Sequence, residues 1–537
     1  MADTYNNIFK ELSQNPSQLV NIDPQELIPL PAPYDTIEEL PELIQLSDAQ
    51  QEKCDSSLDG FAALSLPKPK DEAEEKEWVE KFLNGVRKLL DKEDNWPFLK
   101  PLLVSLDYCA KCQTCADACN VFEGSGEEEI YRPTCRSEIL RRIIKKYTRT
   151  GGKFFAKFSA GDIDLNWALL SRLAEMSYRC MVCRRCAQAC PIGVDNALIT
   201  REIRKIFSQE LGMNMDELHK TGTQQQLDAG SSTGMTPLAL KDNVEFLEEE
   251  VEERTGMKFS WPVDVEGADI LLMHNAGELL AWPENPEAFA IILEAAGISY
   301  TLSSELVAYD SVNYGLFYDD VQLAKIALKH AEVAQKLGVK KIVLGECGHA
   351  HKALAVIADR ILTGDNNIPR ESCLTLLEDI VMSGKLNLDP SRNDFPVTLH
   401  DPCNIVRMMG IVEPQRRVLR KICPQFREMT PHGVDNYCCG GGSGFAIFKS
   451  KNFPDWRMHV SGRIKMRQIL NAFEGDLGPE NRKYVCAPCS NCKGQLRDLF
   501  DFYKATDRSN IWYGGLVELI VNAMTDIDKP FIEWEQF

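Results

Sequence analysis

Fourteen of the 19 cysteines in this chain of 537 residues fall into three groups, and no other feature restricts its possible folds as strongly. Two groups repeat the spacing C-x2-C-x2-C-x3-C, whereas the third spreads over a longer stretch and contains an adjacent pair. So many cysteines could indicate the disulfides of a small secreted domain. The length of the chain and its polar, acidic N-terminus, in which no signal peptide is visible, favour metal ligation instead.

The two repeated runs predict a pair of cubane [4Fe–4S] clusters. In this ferredoxin spacing, three thiolates of a run bind one cluster and the fourth binds the other. Cluster one is therefore expected on Cys109, Cys112, Cys115 and Cys190, and cluster two on Cys180, Cys183, Cys186 and Cys119. Structural zinc or free thiols are the weaker alternatives. Asn120 stands where a proline usually follows such a run.

The third group predicts a different iron centre. Its members are Cys403, Cys438, Cys439, Cys486, Cys489 and Cys492. Adjacent cysteines fit the corners of one cube poorly, but they can bridge and cap irons in an opened, noncubane [4Fe–4S] cluster. The glycines that follow the adjacent pair let the backbone approach a bulky cofactor. We expect five of the six cysteines to bind, with Cys486 the doubtful member, and zinc is the alternative.

Charge and hydropathy argue against several kinds of partner. A formal charge of −20 argues against binding of nucleic acid, whose phosphates it would repel. The same charge disfavours direct docking on an anionic lipid surface. No apolar run approaches the roughly 18 residues that a membrane span requires. These features predict a location on the cytoplasmic side of the membrane.

The order of predicted elements indicates an α+β protein of several domains. Helical periodicity dominates around the ferredoxin runs, whereas apolar strands alternate with helices later in the chain, which predicts parallel sheets. The predicted segments are an N-terminal extension of extended stretches and short helices (1–100), a helical ferredoxin-like domain with two clusters (101–215), a linker (216–265), a degenerate CCG-type α/β half (266–390) and a CCG-type half with the noncubane cluster and a C-terminal tail (395–537).

Particular stretches carry these predictions. Helices are expected at 74–90, 136–147, 166–177, 196–210, 240–253, 286–296 and 321–337, and strands at 268–273, 341–344 and 395–399. The α/β region also repeats internally, because LMH at 272–274 matches TLH at 398–400 and NYG at 313–315 falls opposite CCG at 438–440. The two halves are therefore predicted to be homologous, and the first has lost every ligand position except Cys347.

Cys347 is the remaining cysteine with a predicted role. It ends a strand and precedes His349 and His351, so it could be a redox thiol with a lowered pKa, or a remnant of the lost ligand set. We expect these three residues to be catalytic and to face the noncubane cluster. His274 and His400 end equivalent strands and could line a shared cleft. Core positions are predicted for Cys373 and Cys423, and either core packing or hydrogen bonding to a loop for His219, His330, His432 and His459. Cys54 and Cys135 have no visible partner.

At the CCG residues the chain resembles the heterodisulfide-reductase family of iron–sulfur proteins, which combine two cubane clusters with cysteine-rich CCG domains. Two ferredoxin runs and two CCG-type halves in one chain are similar to an HdrD-type subunit. Further stretches resemble the DsrK-type subunits of the Dsr membrane complexes of dissimilatory sulfur metabolism: GSSTG at 230–234, HNAGE at 274–278, WPENP at 282–286, LSSE at 302–305 and GECGH at 345–349. The resemblance covers roughly residues 100–525.

The resemblance implies a function. Electrons would come from a quinol-oxidising membrane cytochrome b partner (DsrM-like), within a complex of other Dsr subunits, and pass through the cubane clusters to the noncubane cluster. The implied substrate is the trisulfide or disulfide of a small DsrC-like protein, reduced or reversibly formed in sulfate or sulfite metabolism. The chain would be peripheral, held at the membrane by its partners. Asn313-Tyr314 in place of a cysteine pair implies a single noncubane cluster, and the gap from Cys439 to Cys489 is longer than usual for the family.

Two other functions stay open. The chain could be a non-catalytic electron-transfer or scaffold subunit. It could also be the iron–sulfur subunit of a 2-hydroxy-acid oxidase, which shares the CCG architecture and uses a separate flavoprotein. No flavin or nicotinamide fingerprint occurs in this sequence, and the DsrK-like stretches weigh against this function. The N-terminal extension and an apolar helix expected at 511–524 are candidate docking surfaces for partners.

Overall fold

The computed structural model describes residues 2–14, 18–35, 58–61, 64, 66–158, 162–256, 258–445, 453–527 and 529–534. It divides the chain into two compact units. Unit 1 holds Met1–Met215, Phe317–Asp319 and Tyr437–Arg467, and unit 2 holds Asp216–Leu316, Asp320–Asn436 and Gln468–Phe537. Cys54 lies outside the described residues. Among the described residues, no helix is both long and apolar enough to cross a membrane.

Unit 1 is helical, as predicted for the ferredoxin region. Its α-helices are α1 (Ala2–Gln14), α2 (Glu72–Leu89), α3 (Leu99–Asp107), α4 (Thr114–Asp117), α5 (Asn120–Gly124), α6 (Pro133–Ile143), α7 (Gly152–Phe155), α8 (Trp167–Arg179), α9 (Arg185–Gln188) and α10 (Asn196–Gln209). The helices predicted at 74–90, 136–147, 166–177 and 196–210 are confirmed as α2, α6, α8 and α10. A π-helical turn, Ile144–Thr148, completes the stretch after α6.

Local sequence explains where these helices begin. The Asp71 carboxylate caps α2 by accepting hydrogen bonds from the amides of Ala73 and Glu74, and Asp195 caps α10 in the same way. Helix α10 is central, because it contacts α2, α3, α6 and α8. The described part of the N-terminal extension therefore packs on the ferredoxin helices, with α1 against α8 and α2 against α10.

Unit 2 contains two four-stranded sheets that are parallel throughout, which confirms the α/β prediction. The strands are β1 (Ile270–Met273), β2 (Tyr300–Thr301), β3 (Lys341–Leu344), β4 (Arg370–Ser372), β5 (Val397–Leu399), β6 (Phe426–Arg427), β7 (Lys483–Cys486) and β8 (Ile511–Gly514). The first sheet has the order β2-β1-β3-β4 and the second β6-β5-β7-β8. The two orders are equivalent, so the predicted internal repeat is present in the topology.

Helices cover these sheets. Those of unit 2 and its border are α11 (Asp216–Leu218), α12 (Gln225–Ala229), α13 (Pro237–Thr255), α14 (Ala276–Ala281), α15 (Glu284–Ala296), α16 (Leu306–Tyr309), α17 (Asp320–Leu337), α18 (Gly348–Ala350), α19 (Cys373–Met382), α20 (Cys403–Val406), α21 (Pro414–Ile422), α22 (Arg463–Ala472), α23 (Ser490–Tyr503), α24 (Ala505–Ser509) and α25 (Leu516–Ala523). The predicted helices at 240–253, 286–296 and 321–337 correspond to α13, α15 and α17.

One apolar core joins the two halves of unit 2. Helix α15 packs against α25 and α19 against α21, so each half contributes one helix to each pair. Ile270 and Leu272 of β1 enter this shared core with Val397 and Leu399 of β5. Leu271 and Met273 point to the opposite face of the first sheet, where they meet a separate cluster that includes Cys347. Cys373 and Cys423 are confirmed as core thiols.

Two segments differ from expectation. Residues 216–265, predicted to be a linker with one helix at 240–253, also form α11 and α12. Helix α13 is part of the fold rather than a free connection, because Leu247 and Val251 enter the shared core from an apolar stripe opposite its acids. The prediction of a single apolar helix at 511–524 is wrong, because this stretch begins with strand β8 and continues into the buried helix α25. Burial of α25 leaves it without an exposed face for docking.

Candidate functional site

The two ferredoxin loops have matching backbone conformations. Lys111 and Gln113 adopt positive φ angles of 56° and 69°, and Val182 and Arg184, at the same positions of the second loop, have φ angles of 50° and 61°. Positive φ is strained for a β-branched residue such as valine, and the surrounding structure must impose it. Successive amides in such turns form a concave group of N–H donors, which suits an anionic cofactor.

The thiols of the two runs lie close together in the crossed arrangement expected from the spacing. Burial, followed by the neighbouring thiols of Cys109, Cys119 and Cys190, raises the pKa of Cys115 to about 12. Burial and the thiols of Cys180 and Cys183 raise the pKa of Cys119 to about 11. Cys119 therefore adjoins the second run, and Cys190 adjoins the first. A set of converging sulfur donors without a disulfide suits iron.

A buried arginine lies beside the second set of thiols. Arg136 of α6 is 2% exposed, and its guanidinium donates to the Thr200 hydroxyl at 3.1 Å. Burial works against its charge, but the thiols of Cys180 and Cys119 outweigh that effect and raise its pKa. A fixed cation in this position compensates negative charge on thiolates. Sequence reasoning missed this role, because Arg136 is one of several cations in α6.

The adjacent cysteines belong to unit 1, where their loop contacts both ferredoxin runs. The Asn120 side chain donates a hydrogen bond of 3.1 Å to the Cys438 carbonyl oxygen, and the Ser443 hydroxyl donates one of 3.3 Å to the Cys180 carbonyl oxygen. A Cβ atom at Gly442 would lie 2.6 Å from the Met181 carbonyl oxygen. The glycine run therefore permits close backbone approach, and Asn120, in the usual place of proline, ties Cys438 to the first run.

In unit 2, three more predicted ligands follow strands at the carboxyl edge of the second sheet. Cys403 begins α20 after β5, whereas Cys489 precedes α23 and Cys492 lies in its first turn. The ligand atoms of His400 and Cys492 are within 4.8 Å of each other. Ligand sites of open α/β sheets lie at this edge. The Cys489 sulfur accepts a hydrogen bond of 3.3 Å from the Gly348 amide.

Cys486 has a different environment from these cysteines. It is the last residue of β7, is fully buried, and lies in the shared apolar core with Cys423. Burial raises its pKa well above the ordinary value, and the nearby carboxylate of Glu346 adds to that rise. The apolar surroundings are those of a core thiol.

The structure places Cys347 next to Cys489. The Asn275 side-chain nitrogen donates to the Cys347 sulfur at 3.3 Å, and burial followed by Cys489 raises the pKa of Cys347 to about 12. The predicted lowering of this pKa is therefore wrong. The His351 ring bonds the Cys347 carbonyl oxygen at 2.7 Å and the Ser372 hydroxyl at 2.8 Å, and burial lowers its pKa to about 4. His349 is also buried.

His274 occupies the position in the first half that matches His400 in the second. Its Nδ1 lies 3.7 Å from a Glu278 carboxylate oxygen, and its ring packs edge-on against Phe289 with centroids 5.3 Å apart. Glu278 also accepts a hydrogen bond from the Asn275 amide and completes the cap of α14. His274 is thus fixed by its own half of unit 2.

Comparison with known proteins identifies two iron–sulfur-type domains in the chain. Residues 105–194 match the 4Fe-4S dicluster domain family, and residues 397–497 match the family described as cysteine-rich domain. The chain is 26% identical over 491 residues to the Hdr-like menaquinol oxidoreductase iron-sulfur subunit 2 of Archaeoglobus fulgidus, with 83% of each chain covered. It is 25% identical over 413 residues to the D subunit of the dihydromethanophenazine:CoB–CoM heterodisulfide reductase of Methanosarcina acetivorans, covering 75% of this chain and 91% of the relative.

The chain is similar to HdrD-like iron–sulfur subunits. The predicted resemblance is confirmed, and the similarity supports an oxidoreductase with iron–sulfur clusters. The dicluster match contains all eight cysteines of the two runs, and the cysteine-rich match contains all six of the third group. Similarity extends well beyond both matched domains, because the relative from Archaeoglobus fulgidus aligns with 83% of the chain.

The chain also has a buried charged network that its sequence does not reveal. Glu346, which precedes Cys347, accepts hydrogen bonds from the Leu516 amide at 2.8 Å and the Asn285 side chain at 2.9 Å. Lys493, next to Cys492, lies 3.5 Å from Glu518. Burial raises the pKa of Glu346 to about 8. The network joins the two halves of unit 2 through Glu346, the residue that precedes Cys347. Its members are far apart in sequence, so only the tertiary structure brings them together.

Proposed function

We propose that this chain is the iron–sulfur subunit of a heterodisulfide-reductase-like oxidoreductase that carries electrons to a sulfur–sulfur bond. The hydrogen bond from Asn120 to the Cys438 carbonyl carries the proposal, because it connects the residue after Cys119 with the adjacent cysteine pair. The backbone that bears a predicted ligand of cluster two thus adjoins the backbone of the third group. Short separations of this kind suit transfer of single electrons.

The proposal assigns the cysteines to the three clusters that the sequence predicts. Cluster one is assigned to Cys109, Cys112, Cys115 and Cys190, cluster two to Cys180, Cys183, Cys186 and Cys119, and the noncubane cluster to Cys403, Cys438, Cys439, Cys489 and Cys492. Cys486 is left out because it lies in the apolar core. When bound, the cubane clusters supply single electrons and the noncubane cluster supplies a site for sulfur chemistry. Splitting one sulfur–sulfur bond consumes two electrons and two protons. A disulfide then yields two thiols, whereas a trisulfide yields one thiol and one persulfide.

Exposure of the cysteines suggests the direction of transfer within unit 1. Cys112 of cluster one is exposed, whereas Cys186 of cluster two is buried. The Cys438 carbonyl oxygen accepts a hydrogen bond from the Asn120 side chain, and the Ser443 hydroxyl donates one to the carbonyl oxygen of Cys180, a predicted ligand of cluster two. A donor would therefore reduce cluster one, and cluster two would pass electrons on. Arg136 would compensate the charge of the four thiolates at cluster two.

The donor and the substrate follow from the relatives and the sequence resemblance. One relative is named a menaquinol oxidoreductase subunit, so we propose a membrane cytochrome b partner (DsrM-like) as the source of electrons. The other is named for a heterodisulfide substrate, which supports a disulfide or trisulfide as acceptor. The DsrK-like stretches favour a small DsrC-like protein as its carrier. The chain would then work on the cytoplasmic side of the membrane, within a complex.

Electron transfer from the reduced full-length chain tests this function. The chain is purified without oxygen, reduced, and mixed with the trisulfide of a DsrC-like protein, while cubane EPR signals and released thiols are recorded. We expect two electrons to leave the cubane clusters for each sulfur–sulfur bond broken. Cubane clusters that stay reduced, with no thiol released, would leave only an electron-transfer or scaffold role.

A variant at Asn120 tests the observation that carries the proposal. Asn120→Ala is expected to keep the cubane clusters but to slow oxidation of cluster two by the trisulfide. Asn95→Ala is the matched control, because Asn95 is also buried in unit 1 and donates to a backbone carbonyl, that of Leu89 at 2.9 Å. If cluster two is oxidised by the trisulfide at the same rate in both variants, Asn120 does not have the role assigned to it.

A further inference from the structure

Three neighbouring phenylalanines in unit 1 are exposed rather than buried. Phe154, Phe155 and Phe158 have exposed fractions of 63%, 64% and 79%. Their rings contact one another, with centroids 5.5 Å apart for Phe154–Phe155 and 5.4 Å apart for Phe154–Phe158. Contiguous exposed aromatic surface of this kind marks an interaction site more often than scattered single residues do.

A tight turn presents these rings. The π-helical turn Ile144–Thr148 leads through Gly151, which has a φ angle of 70°, into α7. A Cβ atom at Gly152 would collide with the carbonyl oxygen of Lys145, so glycine is required where α7 folds back on the preceding turn. The fold therefore holds the aromatic cluster outward on a defined backbone rather than on an extended tail.

Exposed cations surround the aromatic cluster. Lys145, Arg149, Lys153 and Lys157 are all exposed, although the chain as a whole has a net charge of −20. Lys146, at the edge, pairs with Asp162 at 2.6 Å and approaches Asp164 at 3.7 Å. We name residues 145–158 the basic aromatic patch. The net charge alone disfavours contact with anionic lipid, but the local charge here has the opposite sign.

We propose that the basic aromatic patch docks unit 1 on an anionic phospholipid bilayer. Aromatic rings beside lysine and arginine suit the membrane interface, since the rings enter the boundary of the acyl chains while the cations meet lipid phosphates. Cations near such a surface add to binding and lose their effect as salt rises. An acidic protein surface would use the cations equally well but would not require three protruding apolar rings. The inference is independent of the proposed redox function.

Vesicle flotation of the full-length chain tests this docking. Vesicles of phosphatidylcholine with phosphatidylglycerol are compared with vesicles of phosphatidylcholine alone, at low and high salt. We expect binding to the anionic vesicles at low salt, and a loss of about tenfold in partition coefficient when Phe154, Phe155 and Phe158 are all replaced by serine. Replacing Lys153 and Lys157 by glutamine is expected to weaken binding mainly at low salt.

The matched control replaces Leu238 and Phe246 by serine. These residues of α13 are 69% and 52% exposed but lie on an acidic helix, so their loss should leave vesicle binding unchanged. Iron content and circular dichroism verify that each variant is folded. The proposal fails if the wild-type chain does not float with anionic vesicles, or if the triple serine variant floats equally well. Failure with vesicles combined with patch-dependent binding to an acidic partner subunit would assign the patch to protein contact instead.

Discussion

The two halves of unit 2 have the same topology but different chemistry. Each has a parallel sheet of four strands in equivalent order, and each contributes one helix to the two helix pairs of the shared core. Cys347 and Cys489 follow equivalent strands, and each amide bonds the carbonyl oxygen two residues earlier, at 2.7 Å and 2.6 Å. A common backbone thus holds one cysteine in place in both halves, and the other side chains decide what that cysteine does.

The first half has replaced its cysteine pair with polar and aromatic groups. Asn313 donates to the Leu323 carbonyl oxygen at 2.8 Å, and Tyr314 is buried close to Cys347 and hydrogen-bonds Ser232. Ser232 in turn donates to the Asp310 carboxylate at 2.5 Å. The region that matches the predicted cluster ligands is therefore filled by protein. This difference supports the proposal that the first half has a structural role and that the second half supplies cluster ligands.

The largest expected effect comes from replacing each of the two matched cysteines, Cys489 and Cys347, by serine in separate variants. Cys489→Ser should remove the noncubane cluster, and with it about four irons per chain and the trisulfide reductase activity. Cys347→Ser should keep all of its iron, because no other predicted ligand position of the first half holds a cysteine. Iron analysis of both variants, purified without oxygen, measures the contrast. Equal iron losses would mean that the halves share the cluster.

Glu346 tests the network that joins the halves. Glu346→Leu leaves the Leu516 amide and the Asn285 side chain without an acceptor in a buried place, and we expect a loss of roughly 2–4 kcal/mol in the free energy of unfolding. Glu346→Gln retains an acceptor and should cost about 1 kcal/mol. Chemical denaturation of both variants measures the difference. A leucine variant as stable as the glutamine variant would refute the role of these hydrogen bonds.

The first half should also be sensitive to acid through His330. Burial lowers the pKa of this histidine from 6.5 to about 4. Below pH 6.5 the unfolded chain binds a proton that the folded chain excludes, so this contribution to stability falls as the pH falls toward 4. The expected loss between pH 7 and pH 5 is roughly 2 kcal/mol. Denaturation of His330→Asn at both pH values should show a smaller loss than the wild-type chain, and an equal loss would contradict the assignment.

Cys486 should give the smallest effect. Cys486→Ala removes one sulfur atom from the shared core and is expected to cost about 1 kcal/mol without changing the iron content. Thermal unfolding and iron analysis measure the two quantities. Loss of iron in this variant would show that Cys486 is a ligand. The ligand role of either Cys489 or Cys492 would then be in doubt.

The sequence predicted local features better than long-range ones. The spacing of cysteines within a few residues determines which thiols a single loop can present to a cluster. Both ferredoxin runs and their crossed thiols could therefore be expected from the sequence. The stretch at 511–524 was ambiguous, because a continuous apolar run suits a buried strand as well as a helix. Asn120, Arg136 and Glu346 could not be assigned, since their partners lie far away in sequence and no periodicity marks them.

Iron content and EPR of the wild-type full-length chain test the central claim most directly. We predict about twelve irons per chain, corresponding to three [4Fe–4S] clusters, and an EPR signal that changes when the trisulfide of a DsrC-like protein is added. About eight irons, with spectra unchanged by the trisulfide, would show that the second half holds no cluster and would contradict the account.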